Sequence, residues 1–314
     1  MATPTTTKTY TYKSCPADQG GDLLADVHWS ATPTSSAPPR PIALVLHGGG
    51  FVIGSKEMVP AAQIQRLAAL GFVVVVPNYR LCPQVSVYDG PVADAQDALA
   101  WCRAEVPGLV GGEGVVVDGG RVVAMGHSAG GSLALGLRQG SVPEPVNAIL
   151  DLYGGKYLTE PAWHQPSVYF AAAPALPDDY TRQIHDGPPI SAAPLFFPQP
   201  GATAPPPPRN AWMIARMKDG TWLEKVVQDG DYARVDPVTG FAAGFPPTMF
   251  VHGTADTVMD YRLSERAFQT LKELGVEVQA EWVEGADHMF DMAGEEGAGG
   301  EAVRKGLEFL AKHA

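Results

Sequence analysis

Apolar runs separated by helix-length stretches constrain this chain more than any other feature. "IALVLH" (42–47), "FVVVVPNYR" (72–80), "RVVAMGHSAGG" (121–131), "NAILDLYGG" (147–155) and "PTMFVHG" (247–253) carry consecutive apolar residues instead of an apolar–polar alternation. A strand with one wet face alternates, whereas a strand covered on both faces does not. Between these runs lie stretches with helical spacing: "EMVPAAQIQRLAALG" (57–71), "VADAQDALAWCRAE" (92–105), "SLALGLRQG" (132–140) and "YRLSERAFQTLKELG" (261–275). "EAVRKGLEFLAKHA" (301–314) closes as a helix. "TKTYTYKS" (7–14), "LLADVHWS" (23–30) and "VEVQAEWVEG" (276–285) bring the strands to eight, and "TPTSSAPPRP" (32–41) is a loop. After the first two strands, strand and helix alternate. That order predicts an α/β fold built on a mostly parallel sheet with helices on both faces.

Residues 156–243 break the rhythm. They hold the proline-rich "FFPQPGATAPPPP" (196–208) together with Trp163, Tyr169, Phe170, Phe196, Phe197, Trp212 and Trp222. Proline alone suits a linker, but so many aromatic side chains need something to pack against. We therefore expect a core made of residues 1–155 and 244–314, with 156–243 inserted as a cap over the site. No internal repeat is visible.

Composition narrows the function classes. The 314 residues carry a net charge of −12, and no Lys/Arg cluster offsets it locally, so nucleic acid and anionic membranes are not expected partners. No apolar run is long enough to span a bilayer. The N-terminus "MATPTTTKTYTYK" lacks the apolar core of a secretion signal, and the closing "LAKHA" matches no retention or lipidation signal, so the expected location is cytoplasmic. Cys15, Cys82 and Cys102 are widely spread, form no CxxC pair and read as structural. No His/Asp/Glu spacing suggests a metal, and neither a metal nor an organic cofactor is expected.

"GHSAG" (126–130) follows the strand "RVVAM" and opens a helix. In that context Ser128 falls on a sharp strand-to-helix turn, its hydroxyl held clear between Gly126 and Gly130, with Gly131 extending the clearance. The helix behind it points its positive end at the serine. A serine hydroxyl needs a base, and histidine suits the task because it titrates near working pH. Of the eight histidines, His28 lies on an early strand, His127 flanks the serine and points away, His252 ends a strand and reads as structural, and His313 is terminal. His288 lies in "EGADHMF", just after the last strand. Asp256, in "HGTADTV", also follows a strand and could orient His288 and stabilise its imidazolium. Asp260 is the rival acid and Asp287 a weaker one. Loops at the carboxyl ends of parallel strands converge on one edge of the sheet, so these residues can meet.

"HGGGFVIGS" (47–55) sets three glycines after a strand. A phosphate loop would close on Gly-Lys-Ser or Gly-Lys-Thr, and Gly54-Ser55-Lys56 does not. With a nucleophile present, bare backbone has another use: N–H donors for the oxyanion of acyl transfer, each worth ~3 kcal/mol of barrier. Ala129, next to the nucleophile, supplies one donor, and the glycine loop supplies the others. His47 is expected to brace that loop.

His47-Gly48-Gly49-Gly50, the elbow from Gly126 to Gly131, Asp256 and His288 together resemble the hormone-sensitive-lipase-like group of α/β-hydrolases, the α/β-hydrolase fold-3 family. "NYRLCPQ" (78–84) resembles that family's Tyr-Arg-Leu-Ala-Pro-Glu stretch, and the likeness covers roughly residues 40–155 and 245–314. The resemblance implies an oxyanion hole of Gly49, Gly50 and Ala129, and an active carboxylesterase for short or medium acyl chains. His127 replaces a more usual Asp in the elbow, and Cys82 and Gln84 replace Ala and Glu. The family usually carries an N-terminal helical cap, whereas here the N-terminus is short and strand-like. Similar enzymes serve fungal secondary-metabolite pathways as thioesterases, lactonases or cyclases, and that alternative stays open. So does a ligand-binding receptor, although receptors of this group lack the catalytic histidine. The expected partner is a small ester or thioester, with room for a homodimer. Phe51, Trp163, Phe196, Phe197, Trp212 and Trp222 are the candidate pocket residues.

Overall fold

The computed structural model describes residues 5–30, 38–137, 144–196, 204–292 and 297–314. Eight strands form one sheet: β1 (Thr5–Lys13), β2 (Leu23–Ser30), β3 (Arg40–Leu46), β4 (Val73–Pro77), β5 (Val117–His127), β6 (Ile149–Leu152), β7 (Thr248–Gly253) and β8 (Val278–Val283). Their order is β1-β2-β4-β3-β5-β6-β7-β8. β2 pairs antiparallel with β1 and β4, and every other neighbour is parallel. This is the α/β-hydrolase fold.

Helices α1 (Ala61–Ala69), α2 (Ala93–Ala104), α3 (Val106–Gly111), α4 (Ala129–Gly136), α5 (Asp178–Arg182), α6 (Pro208–Lys218), α7 (Trp222–Val227), α8 (Tyr232–Val235), α9 (Tyr261–Glu273) and α10 (Gly297–His313) complete the described elements. The continuous apolar strands are explained by two cores, one on each face. Along β3, Ile42, Leu44 and Leu46 pack into one core with α2, α4 and α9, while Ala43 and Val45 pack into the other with α1 and α10. Every one of these strand side chains is fully buried, and each of the larger ones contributes roughly 1.5–3 kcal/mol of transfer free energy.

Boundaries moved where local chemistry intervened. The helical stretch 57–71 is divided by Pro60 into a 3₁₀ turn, Lys56–Met58, and α1. The run at 147–155 is a strand only to Leu152, because Tyr153 turns the chain with φ 44°.

The chain runs from β3 outward to β4 on one side, then crosses back to β5 on the other. Such a reversal leaves a crevice outside the carboxyl ends of the two strands. The glycine loop leaves β3 there, and Ser128 leaves β5. Residues 156–243 carry α5 to α8 and three short 3₁₀ turns. They are tied to the rest by a bridge between Gly54 and Ala193, with both N–H···O bonds at 2.9 Å. Buried Arg209 of α6 donates to the carbonyls of Val52 (3.0 Å) and Cys82 (2.5 Å) and to Gln84 Oε1 (2.8 Å). Gln84, where the family usually has Glu, also donates to the carbonyl of Ile184.

Candidate active site

Ser128 adopts φ 52°, ψ −118°, a conformation that costs an L-residue of order 1–3 kcal/mol and persists only where its surroundings enforce it. The enforcement is visible. The Ser128 N–H bonds the carbonyl of Leu152 at 2.8 Å. A Cβ on Gly126 would overlap the carbonyl of Gly130, and one on Gly130 would overlap the carbonyl of Leu46. The glycines of "GHSAGG" are thus demanded by close packing of the elbow against β3 and α4.

The Ser128 hydroxyl lies 3.1 Å from His288 Nε2, and His288 Nδ1 lies 2.7 Å from Asp256 Oδ2. Asp256 Oδ1 accepts from the N–H groups of Val258 (2.8 Å) and Met259 (2.7 Å). Burial alone would raise the Asp256 carboxyl, but the hydrogen bonds from His252, His288 and Met259 N–H hold it well below the usual carboxylate range. The two rival acids face elsewhere. Asp260 caps α9, accepting from Arg262 N–H at 3.0 Å. Asp287 accepts from Thr257 N–H and hydroxyl, both at 2.9 Å.

Gly49 (φ +116°), Gly50 (φ +59°) and Phe51 (φ +62°) all take left-handed conformations, which open the glycine loop toward the serine. Among the described residues, the N–H groups of Gly49, Gly50 and Ala129 have no hydrogen-bond partner. His47 lies beneath the loop, stacked on Tyr79 at 4.1 Å, with Nδ1 2.7 Å from the carbonyl of Gly48. Burial pushes its pKa down to about 4, so it braces the loop as a neutral ring.

A cavity of about 380 Å³ opens above Ser128 and His288. Its walls include Tyr169, Phe170, Leu195, Phe196, Met213 and Met217 from the 156–243 segment, and Met58, Met259, Met289 and Met292 from the loops of the sheet. Of the expected pocket residues, Phe196 lines this cavity. Trp163 and Trp222 line an adjoining cleft that shares Met217, Val258 and Met259 with it. Phe51 is buried and stacked on Trp222, with ring planes 4° apart. Trp222 Nε1 donates to the carbonyl of Gly50 at 3.2 Å, so this tryptophan supports the glycine loop and not the cavity wall. Trp212 faces a different groove, beside His185 and Arg216. Phe197 lies outside the described residues.

Two features have no signal in the sequence. Tyr153 sets its ring edge-on to His288, with centroids 4.8 Å apart, and donates to Asp291 Oδ1 at 2.6 Å. Asp291 Oδ2 accepts from Gln63 at 2.7 Å, and Gln63 Oε1 in turn accepts from His127 Nε2 at 2.8 Å. The unusual elbow histidine is therefore part of a buried network anchoring the loop that carries His288. His252, read as structural, lies with Nε2 3.0 Å from Asp256 Oδ2. Among the described residues, no group of three or more His, Cys, Asp or Glu side chains could hold a metal ion. Nor is any helix among them long and apolar enough to cross a membrane.

A serine within reach of a carboxylate-held imidazole, at the switch point of this sheet, marks the hydrolases of the fold. The chain belongs to the alpha/beta hydrolase fold family, whose model matches residues 43–292, as the resemblance at the glycine loop and elbow implied. Among solved structures, an esterase of Pyrobaculum calidifontis superposes with TM-score 0.65 over 98% of this chain and 85% of that one, at 23% identity. Esterase 2 of Thermogutta terrifontis, phosphorylated by paraoxon, superposes with TM-score 0.61 over 96% and 90%, at 21% identity. Among curated proteins, the non-reducing polyketide synthase ausA of Aspergillus calidoustus is 32% identical over 94% of this chain, which spans 14% of that synthase's length. The non-reducing polyketide synthase pkbA of Emericella nidulans is 30% identical over 98% of this chain, again 14% of its length.

Proposed function

We propose that this chain is a serine hydrolase that cleaves carboxylic esters of small or medium apolar substrates through an acyl-enzyme. The observation that carries the reading is the unbroken line Ser128 Oγ, His288 Nε2, His288 Nδ1, Asp256 Oδ2, at 3.1 and 2.7 Å. In this mechanism His288 Nε2 takes the serine proton as Oγ attacks the ester carbonyl. Asp256 stabilises the imidazolium without becoming protonated. The N–H groups of Gly49, Gly50 and Ala129 receive the oxyanion. The imidazolium then protonates the leaving alkoxide, and water, deprotonated by the same ring, releases the acid. Residues 156–243 act as a cap that supplies the apolar wall. Labelling Ser128 with a fluorophosphonate, together with hydrolysis of graded p-nitrophenyl esters, tests the reading. An unlabelled Ser128 in folded protein would sink it.

A second reading uses the same acyl-enzyme in a biosynthetic step: hydrolysis, lactonisation or transfer of a thioester-bound acyl chain. It is favoured by the likeness to polyketide synthases, which spans nearly the whole chain. Near silence on p-nitrophenyl acetate and butyrate, with Ser128 still labelled and acyl N-acetylcysteamine thioesters turned over, would select it. A binding-only receptor is disfavoured by His288 standing within reach of the serine.

A further inference from the structure

Behind Asp256 runs a buried chain of polar groups that acyl transfer, as derived above, does not use. Lys156 is fully buried, forms an ion pair with Asp151 Oδ2 (2.7 Å), and donates to the carbonyl of Gly154 (2.5 Å) and to Ser264 Oγ (2.7 Å). Ser264 Oγ accepts from that lysine and lies 2.7 Å from His252 Nδ1, to which it can donate its own proton. A ring nitrogen that accepts at Nδ1 carries its hydrogen on Nε2. That Nε2 lies 3.0 Å from Asp256 Oδ2 and 3.1 Å from the carbonyl of Met259, both pure acceptors. Two pure acceptors at Nε2 require its hydrogen there, and a neutral ring then accepts at Nδ1 from Ser264.

We propose that His252 is a positioning residue for the triad: an Nε2–H donor that shares Asp256 Oδ2 with His288 and so sets both the aim and the basicity of the His288 ring. The proposal rests on the acyl-enzyme reading of Ser128, His288 and Asp256. Asp256 has four donors, two amides on Oδ1 and two imidazoles on Oδ2, so its plane is fixed and its charge is spread. The titratable groups around His252 are Asp151 and Lys156 beyond Ser264, Asp256 and His288 in front, and the Tyr153 ring edge-on at 6.4 Å. Burial is the largest influence on His252 and, with the Lys156 cation, outweighs the Asp256 and Asp151 carboxylates that favour a proton, so its pKa lies below the ordinary imidazole value. Removing that donor leaves His288 as the one partner of Oδ2. The carboxylate charge then concentrates on His288 and holds its imidazolium more firmly.

The test is the pH profile of kcat/KM for wild type, His252→Phe and His252→Gln, with Ser128→Ala as control. Expected for His252→Phe is a kcat lower by about tenfold, the low end of what losing an outer-shell partner costs at a metal site. KM should stay unchanged, and the acid limb should move up by roughly half a pH unit or more. His252→Gln, which can donate from its amide, should return the limb to the wild-type position. An acid limb that stays put in His252→Phe overturns the proposal, as does a failure of Gln to restore it. Should His252→Phe not fold, ¹⁵N-histidine NMR of the wild type decides, the signal being assigned by its loss in His252→Gln. A neutral Nε2–H tautomer from pH 5 to 9 is expected, and an Nδ1–H or doubly protonated ring overturns the role. An active Ser128→Ala would instead remove the acyl-enzyme reading on which the proposal rests.

Discussion

The carboxyl-terminal edge of the sheet and the 156–243 segment reach the same cavity by different physics. The sheet edge brings Ser128, Asp256 and His288 together because parallel strands end on one side and their loops have nowhere else to go. The segment has no such geometry. It is held over the edge by packing of side chains such as Ile184, Leu223 and Val226 into the core and by individual contacts, among them Arg209 on two core carbonyls, the Gly54–Ala193 bridge, and Trp222 on Gly50. Chemistry is placed by topology, whereas the wall is placed by anchors that read individually as ordinary residues.

The largest effects should come from the topological half. Ser128→Ala and His288→Ala are each expected to lower kcat/KM by about 10⁵-fold or more, because triad members act as a unit. Asp256→Asn should cost about 10⁴-fold, through loss of the tautomer it enforces. Asp260→Asn, removing a helix cap, should stay within a few-fold. Steady-state kinetics beside thermal melts would check all four, and a larger loss in Asp260→Asn than in Asp256→Asn would break the assignment of the acid.

Next come the two glycines that the motif treats as equals. A Cβ at Gly49 would overlap the carbonyl of Ile53, so Gly49→Ala should disrupt the loop turn and lower both Tm and activity. At Gly50 the nearest atoms are flexible, Met213 Sδ at 3.2 Å and Met217 Cε at 3.4 Å. At φ +59° an alanine costs roughly 1–2 kcal/mol, so Gly50→Ala should lower Tm by a few degrees, less than Gly49→Ala, and lower kcat by about 10- to 100-fold, with KM little changed, because the crowded donor acts on the transition state. A change confined to KM would place this loop in substrate binding instead.

Smaller effects should separate the anchors from the wall. Trp222→Phe removes the hydrogen bond to Gly50 and should lower kcat about fivefold across all esters, since one neutral hydrogen bond is worth about 1 kcal/mol. Phe196→Ala enlarges the cavity and should shift acyl preference toward bulkier groups. Trp212→Ala should destabilise without altering preference. If Trp222→Phe changes preference and Phe196→Ala does not, the two roles are reversed.

This contrast also explains what could be read in advance. Five central strands were legible because two-sided burial leaves uninterrupted apolar runs, and the serine because its elbow needs glycines where backbone meets backbone. The segment's fold was not legible. Its helices are short, four of the described ones spanning 4 to 11 residues, and their positions depend on partners far along the chain. Aromatic content suggested a wall, but six methionines share the lining with four Tyr and Phe side chains, and methionine follows no period and packs wherever there is a gap. Trp222 and Phe51 went to the loop and not the wall because an indole N–H needs an acceptor when buried, and Gly50 offers one. His252 passed for a strand end, since nothing in a sequence reports which nitrogen faces which oxygen.

The smallest expected effect lies where the two halves meet, at Asp291. It follows His288 by three residues and ties that loop to Tyr153 of the sheet edge and Gln63 of α1. Burial alone would raise its carboxyl, but the hydrogen bond from His127, with those from Tyr153 and Gln63, brings it down to about 2 from the ordinary 3.8. A carboxyl depressed in the folded state stabilises the fold above its unfolded pKa, and the contribution is lost as pH falls from about 4 through about 2. The gap corresponds to roughly 2–3 kcal/mol at neutral pH. Asp291→Asn keeps an acceptor for Tyr153 but turns an amide toward donors, so it should lower Tm at pH 7 by a few degrees and kcat by a few-fold through the His288 loop. Melts of both proteins at pH 7, 5, 4 and 3 should show a constant difference down to about pH 4 and a shrinking one below it, as the wild-type carboxyl takes up its proton. A difference that stays constant down to pH 3 would mean that the His288 loop is held by packing around Tyr153 and not by the charge on Asp291.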